Sequence, residues 1–210
     1  MPGESAYTRA NYGFEDIALK GTPVAACASC HGKDGGGGGV FPNLTLQDET
    51  YLRDTLYAFA AGTRRSAYMQ IMASQLSPQQ INALAKYYAS QPRRRADANP
   101  PAPTALGEAV ALRGESAKGI GACASCHGAT ARTGKAYPRL EGQSAWYIAN
   151  QMRLFAGDGR GSTARGDNPM TAIARGLTPA QIDAVAAWYA AQPPVPVQAR
   201  PAVQVRQAAR

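Results

Sequence analysis

The stretch Cys123-Ala124-Ser125-Cys126-His127-Gly128 decides the fold, and it has a twin, Cys27-Ala28-Ser29-Cys30-His31-Gly32. Cys-x-x-Cys-His is the attachment signature of c-type haem. Two thiols three positions apart can bond to the two vinyl groups of a single porphyrin, and the histidine that follows becomes the proximal ligand of the iron. The sequence therefore predicts two covalently attached haem c groups. The predicted attachment and ligand residues are Cys27, Cys30 and His31 in the first motif and Cys123, Cys126 and His127 in the second.

Two other interpretations of paired cysteines are weaker. A zinc ribbon has its two Cys-x-x-Cys pairs about 15–20 residues apart, whereas Cys30 and Cys123 are far more distant. A thioredoxin-like pair needs no following histidine and lies beside a βαβ pattern, which this sequence lacks.

The two motifs use all of the cysteine and histidine in the chain. The sequence has four Cys and two His, so no thiol remains for a structural disulfide. No histidine remains for the far side of either iron, which excludes bis-histidine ligation within this chain. The sixth ligand of each iron must then be a Met, Lys, Tyr or terminal group, or water.

The two halves of the chain align at a constant offset, which indicates an internal duplication. At that offset Phe41-Pro42-Asn43-Leu44 matches Tyr137-Pro138-Arg139-Leu140, and Phe59 matches Phe155. The second half then gains five residues after Ala156. We predict domains at 1–92 and 109–193, an Arg- and Pro-rich linker at 93–108, and a flexible tail at 194–210.

Both halves have helical patterns. Apolar spacing predicts helices at 49–61 and 144–156, and shorter ones at 14–20 and 107–113. The last helix of each half has the clearest start, because an N-cap is followed by proline and then by a glutamine that completes a capping box. These residues are Ser77, Pro78 and Gln80 in the first half and Thr178, Pro179 and Gln181 in the second. Five glycines at 35–39 are predicted to form a flexible surface loop, because they lack the context of a phosphate loop.

Methionines are the best candidates for the distal ligands. Met170 lies in a stretch expected to be irregular, seven residues before Leu177, and the same count back from the matching Leu76 reaches Met69. This matched pair predicts Met69 and Met170 as iron ligands, with Met72 as the alternative in the first half. Met152 falls inside a predicted helix and is expected in the core. A thioether ligand would leave no open coordination position.

The formal charge of +8 is unevenly distributed. Residues 1–92 have seven basic and seven acidic side chains, residues 109–193 have nine and five, and the tail has three arginines and no acid. This surplus favours redox partner proteins with acidic docking surfaces, or peripheral association with an anionic membrane. Nucleic acid is not an expected partner, because no basic stripe alternates with aromatic residues.

We expect an exported protein, in the periplasm or on the outer face of the cytoplasmic membrane, because haem c is attached outside the cytoplasm. No apolar signal core precedes Cys27, so we expect the signal to be removed. No run of about 18 apolar residues predicts a membrane span.

Each half resembles a small class I cytochrome c, with its N-terminal helix, Cys-x-x-Cys-His, Pro-x-Leu segment, methionine loop and C-terminal helix. Two such halves resemble the dihaem cytochrome c4 family over about residues 14–193. The resemblance implies an all-α fold of two tandem domains, each wrapped around one haem. It also implies that Pro42 and Pro138 accept, through their carbonyl oxygens, the ring N–H of the proximal histidine.

The function that the resemblance implies is electron transfer between respiratory donors and a terminal acceptor such as an oxidase. An electron carrier needs no small-molecule substrate. One alternative is an electron-transfer subunit of a dehydrogenase complex. Another is a dihaem peroxidase-type enzyme, which would need an open iron and an acid–base residue beside it, and no spare histidine is present.

Overall fold

The computed structural model describes residues 24–127, 137–160 and 168–194 of the 210-residue chain. Regular structure within these ranges is helical, apart from two isolated β-bridges, Gly38 with Phe41 and Glu115 with Ile120. None of the described helices is both long and apolar enough to cross a bilayer. The predicted helix at 14–20 and most of the predicted tail lie outside the described residues.

In the described part of the first half, residues 24–92, four helices enclose a small core. They are α1 (Val24–His31), α2 (Glu49–Ala60), α3 (Ala67–Ser74) and α4 (Pro78–Ser90). Helix α2 packs against both α3 and α4. The buried apolar residues between them are Val24, Leu52, Leu84, Ala85 and Tyr88.

The second half repeats this arrangement with a larger core. Its helices are α5 (Ala105–Arg113), α6 (Ala124–His127), α7 (Ala145–Ala156), α8 (Pro169–Gly176) and α9 (Pro179–Ala191). Helix α9 packs against α5 and α7. The crossing of α5 and α9 is close because Gly107 faces the Ala184 carbonyl, which a Cβ at that position would approach to 2.2 Å. Met152 is buried in this core as predicted.

Both predicted capping boxes are confirmed. The Ser77 hydroxyl accepts the Gln80 backbone N–H at 3.2 Å, and the Gln80 side chain accepts the Ser77 N–H at 2.9 Å. Thr178 and Gln181 form the same pair of bonds at 3.2 and 2.9 Å. These caps fix the starts of α4 and α9, whose apolar faces complete the two cores.

Helices α3 and α8 were not predicted, and the expectation of an irregular stretch around Met170 is wrong. Ser66 caps α3 by accepting the Met69 N–H, and Asn168 caps α8 by accepting the Met170 N–H at 2.9 Å. Pro169 occupies the first turn of α8. The start of α8 therefore has the same N-cap and proline pattern as the start of α9, whereas α3 has the cap without the proline.

The prediction that residues 35–39 form a flexible surface loop is wrong for Gly35 and Gly37. Gly35 is buried, and the Gly37 N–H donates to the His31 carbonyl at 2.8 Å. Gly37 has φ +69°, and a Cβ there would lie 2.4 Å from the Asn43 nitrogen. Only glycine fits such a position, so this part of the run is a tight turn between the first motif and Pro42.

The start of the linker is fixed by both domains. The Arg94 carbonyl accepts the Asn43 side-chain N–H at 2.8 Å, and the Ala96 N–H donates to the Gly142 carbonyl at 2.7 Å. Asp97 accepts the Ala145 N–H at 3.1 Å. These bonds hold the two domains in one orientation.

Asp48 joins the linker and the second domain through ion pairs. Its carboxylate lies 3.1 Å from the Arg93 guanidinium and 3.2 Å from that of Arg139. The side chains of Arg93, Arg139 and Asp48 are only 7%, 16% and 28% exposed. Charged hydrogen bonds at such sites are stronger than those on the surface.

We expect Asp48→Asn to lower the free energy of unfolding by about 2 kcal/mol, because charge-assisted bonds to two guanidinium groups are weakened. The melting temperature should then fall by about 4–8 °C for a chain of this size. Far-UV circular dichroism during heating measures the change.

Asp54→Asn is the matched control. Asp54 pairs with Arg53 at 2.8 Å, but these side chains are 53% and 37% exposed. Exposed pairs contribute about 0.2–1 kcal/mol, so its effect should be much smaller. Equal melting temperatures for the two variants would contradict the role given to Asp48.

Candidate haem sites

Each motif ends in a buried histidine whose ring is held by a backbone carbonyl. His31 Nδ1 lies 2.9 Å from the Pro42 oxygen, and His127 Nδ1 lies 2.8 Å from the Pro138 oxygen. A carbonyl oxygen can only accept a hydrogen bond, so Nδ1 carries the proton in both rings. The Nε2 lone pair of each ring is therefore available to a metal.

Both rings are held in the neutral form. Burial lowers the pKa of His31 and of His127, and the hydrogen bond to the proline carbonyl opposes this only in part. A neutral imidazole is the form that binds iron. Each ring also has an aromatic neighbour edge-on, Phe41 at 6.2 Å and Tyr137 at 5.9 Å between ring centroids.

None of the four cysteines forms a disulfide. In each motif the first thiol is partly buried and the second is exposed. Burial raises the pKa of the Cys27 and Cys123 thiols. Two cysteines outside any disulfide, beside a buried histidine, are the residues that covalent attachment of a haem requires.

A buried tyrosine hydroxyl near each motif supports the fit of such a group. The hydroxyls of Tyr88 and Tyr189 have no hydrogen-bond partner within normal distance among the described residues, although that of Tyr88 lies near the Cys27 thiol. Buried polar groups without a partner are rare in folded proteins and need an explanation. A ligand bound against each tyrosine would provide this explanation.

The predicted methionine ligands lie on corresponding short helices. Met69 is in the first turn of α3 and Met170 in the first turn of α8, and both side chains are partly buried. Met72, the alternative, is 37% exposed. Met69 and Met170 are therefore the third and second residues of corresponding helices in the two domains.

The two sites are joined by two reciprocal contacts between the domains. The Asn43 N–H donates to Gln143 Oε1 at 2.9 Å, and Gln143 Nε2 donates to the Asn43 carbonyl at 2.9 Å. The Arg139 N–H donates to Gln47 Oε1 at 3.0 Å, and Gln47 Nε2 donates to the Arg139 carbonyl at 2.9 Å. Asn43 matches Arg139, and Gln47 matches Gln143, in the duplication, so the interface is pseudo-symmetric.

A pair of arginines extends this interface. Arg64 stacks on Phe59 of its own domain and donates to the Tyr147 hydroxyl of the other domain at 2.9 Å. Arg160 stacks on Phe155 and donates to the Gln151 side chain. No salt bridge neutralises either guanidinium within the described residues. Neither arginine was predicted from the sequence, although Arg64 and Arg160 lie at the constant offset of the duplication.

Profiles of two protein families match the two halves. Residues 19–87 match "Cytochrome C oxidase, cbb3-type, subunit III", and residues 111–190 match "Cytochrome c". Among curated relatives, a thiosulfate dehydrogenase electron acceptor of Thiomonas intermedia is 42% identical, over 83% of this chain and 82% of the relative. A cytochrome c4 of Azotobacter vinelandii is 35% identical, over 82% and 87%.

Solved structures also resemble this chain. Reduced recombinant cytochrome c4 from Pseudomonas stutzeri superposes with a TM-score of 0.70 at 31% identity, over 80% of this chain and 94% of that one. The chain belongs to the dihaem cytochrome c4 family. Thiosulfate dehydrogenase (TsdBA) from Marichromatium purpuratum also matches, at 29% identity and a TM-score of 0.70, over 89% of this chain and 40% of that one.

This dihaem cytochrome therefore has two tandem all-α cytochrome c domains and two covalently bound haem c groups, and it transfers electrons with redox partner proteins. These conclusions confirm the family, fold, cofactor and general function predicted from the sequence. The domain boundaries at 92, 108 and 193, and the roles of individual residues toward the haem groups, stay predictions.

Proposed function

We propose that this cytochrome carries electrons from a dehydrogenase of the thiosulfate-oxidising class to a terminal acceptor such as an oxidase. The observation that carries the proposal is the 42% identity to a thiosulfate dehydrogenase electron acceptor over four-fifths of both chains. Haem c supplies the chemistry, because its iron alternates between two oxidation states and carries one electron at a time. We propose that this happens in the periplasm or on the outer face of the cytoplasmic membrane.

In this proposal the chain's own residues hold and orient the two haem groups. Cys27, Cys30, Cys123 and Cys126 attach them. His31 and His127 would bind the irons through Nε2, because their Nδ1–H groups donate hydrogen bonds to the carbonyls of Pro42 and Pro138. Met69 and Met170 would supply the distal ligands.

A carrier is favoured over a peroxidase-type enzyme. A histidine and a methionine on each iron would leave no coordination position for a substrate. The two histidines of the chain are both used as proximal ligands, so neither can serve as an acid–base group on the distal side.

An electron-transfer subunit of a dehydrogenase complex is the second candidate. It is favoured by the match to TsdBA, in which the aligned part is 40% of a longer chain. In that case the cytochrome would copurify with its dehydrogenase from native membranes or extracts.

The donor is tested by mixing the oxidised cytochrome with a purified thiosulfate dehydrogenase and thiosulfate. We expect both haem groups to be reduced. The increase in the visible absorption bands of the reduced haem measures this reaction. The reaction without the dehydrogenase is the control. No reduction in the complete mixture, with full reduction by a small-molecule reductant, would refute a donor of this class.

The distal ligands are tested with three variants. We expect Met170→Ala and Met69→Ala each to remove about half of the near-infrared methionine-to-iron absorbance, because each would free one of two irons. Met72→Ala is the matched control in the first domain and should leave the band almost intact. A large loss in the Met72 variant would show that Met72, not Met69, is the ligand.

Docking through the basic tail is tested by stopped-flow kinetics. We compare the full chain with a variant that ends at Pro193 and with a full-length variant in which Arg200, Arg206 and Arg210 are glutamine. If the tail steers a partner, either the reduction or the oxidation rate should fall in both variants and depend less on ionic strength. Unchanged rates and salt dependence would exclude steering, and slowing only in the shortened chain would exclude charge as the cause.

A further inference from the structure

The peptide group between Pro42 and Asn43 is hydrogen-bonded at both ends. Its oxygen accepts the His31 ring proton at 2.9 Å, and its N–H donates to Gln143 Oε1 at 2.9 Å. The histidine is in the first domain and the glutamine is in the second. A single peptide group thus connects a haem-binding ring to a side chain of the other domain.

The second site has the mirror arrangement. The peptide group between Pro138 and Arg139 accepts the His127 ring proton at 2.8 Å and donates its N–H to Gln47 Oε1 at 3.0 Å. Here the histidine is in the second domain and the glutamine in the first. The contact is therefore built twice, in opposite directions, as pseudo-two-fold symmetry requires.

Both contacts are buried, and each consists of two hydrogen bonds. Gln143 is 2% exposed, Gln47 6% and Asn43 fully buried. Each glutamine also donates its Nε2 proton to the carbonyl that follows the peptide group. Gln143 Oε1 accepts the Ser144 N–H as well, at 3.0 Å. A buried side chain with its donor and acceptor both used is held in one position.

We propose that Gln143 and Gln47 are positioning residues that act across the domain interface, each fixing the carbonyl that orients the haem-binding histidine of the opposite domain. The inference rests on the proposed ligand role of His31 and His127. A peptide N–H that donates a hydrogen bond polarises its own carbonyl oxygen and makes it a stronger acceptor. A stronger acceptor at Nδ1 raises the basicity of the imidazole ligand, and a more basic ligand favours the oxidised iron.

Loss of each glutamine should change the midpoint potential of the haem in the opposite domain, which we call a crossed shift. Gln143 lies in the second domain, but its loss should raise the midpoint potential of the haem on Cys27 and Cys30. Loss of Gln47 should raise that of the haem on Cys123 and Cys126. A merely structural role in folding its own domain would not produce this pattern.

The test uses Gln143→Met and Gln47→Met in the holoprotein, because methionine has a similar length without an amide. We expect each to raise the one-electron equilibrium constant for reduction about threefold at the opposite haem. The effect is modest because loss of one hydrogen bond lowers the strength of a linked hydrogen bond by only roughly 10–30%. Threefold corresponds to about 28 mV at 59 mV per tenfold change. A redox titration followed by haem-resolved NMR measures both potentials.

Ser144→Ala is the control for a loosened interface. The Ser144 hydroxyl donates to the Gly39 carbonyl across the interface at 2.8 Å and accepts the Tyr147 N–H at the start of α7, and neither bond involves a proline peptide group. Both potentials should stay unchanged in this variant. Hydrogen exchange gives a second readout: Gln143→Met should speed exchange of the Asn43 amide more than that of Arg139, and Gln47→Met the reverse.

The inference is overturned if either methionine variant shifts both potentials equally, shifts only the haem of its own domain, or shifts none. If a methionine variant yields no holoprotein, the asparagine variant, one methylene shorter, tests the same contact. Failure of the proposed function gives a different result: no reduction by the dehydrogenase, with the crossed shifts present in the titration, would refute the donor and leave the role of the two glutamines intact. Spectra without histidine ligation would overturn this inference as well.

Discussion

The hydrogen bond from a buried histidine ring to a proline carbonyl is the constraint on which the other features of each domain depend. It fixes the ring tautomer, so that Nε2 is available for iron. It also requires the chain to return to the histidine eleven residues after leaving it. In the first domain this return is made by the glycine turn, where the Gly37 N–H binds the His31 carbonyl and Gly37 lies against Asn43. The motif, the glycines and Pro42 therefore form one structural unit.

Much of the fold could be predicted because its signals are local. The two Cys-x-x-Cys-His motifs, the capping boxes at Ser77 and Thr178, and the apolar faces of the last helices all lie within a few residues of sequence. Helices α3 and α8 were not predicted. Asn168 and Pro169 give the same type of signal for α8, but each of these helices is only eight residues long, and α3 has no proline after its cap. The glycine turn was missed because five glycines permit many conformations, and only contacts with Tyr88 and Asn43 select one.

The interface could not be predicted, because its contacts join residues about 100 positions apart. Nothing local to Gln47 or Gln143 indicates that their amides bind a backbone segment in the other domain. The duplication does supply a hint, since the two glutamines, and likewise Arg64 and Arg160, occur at one offset. A residue pair kept in register in two domains, with no role in either core, is a candidate for the contact between them.

The pseudo-symmetry of the interface is broken by charge. Asn43 in the first domain corresponds to Arg139 in the second, and Arg139 is paired with Asp48. Thr45 corresponds to Glu141, whose burial raises its pKa although Arg139 and Arg93 oppose the shift. Each haem site thus has the same hydrogen-bonded frame but different neighbouring charges, and electrostatic interactions in a buried interface are weakly screened. Asp48, Arg93 and Arg139 also hold the domains together. The ion pairs that set the orientation of the two haem sites are therefore the same ones that give the sites different electrostatic surroundings.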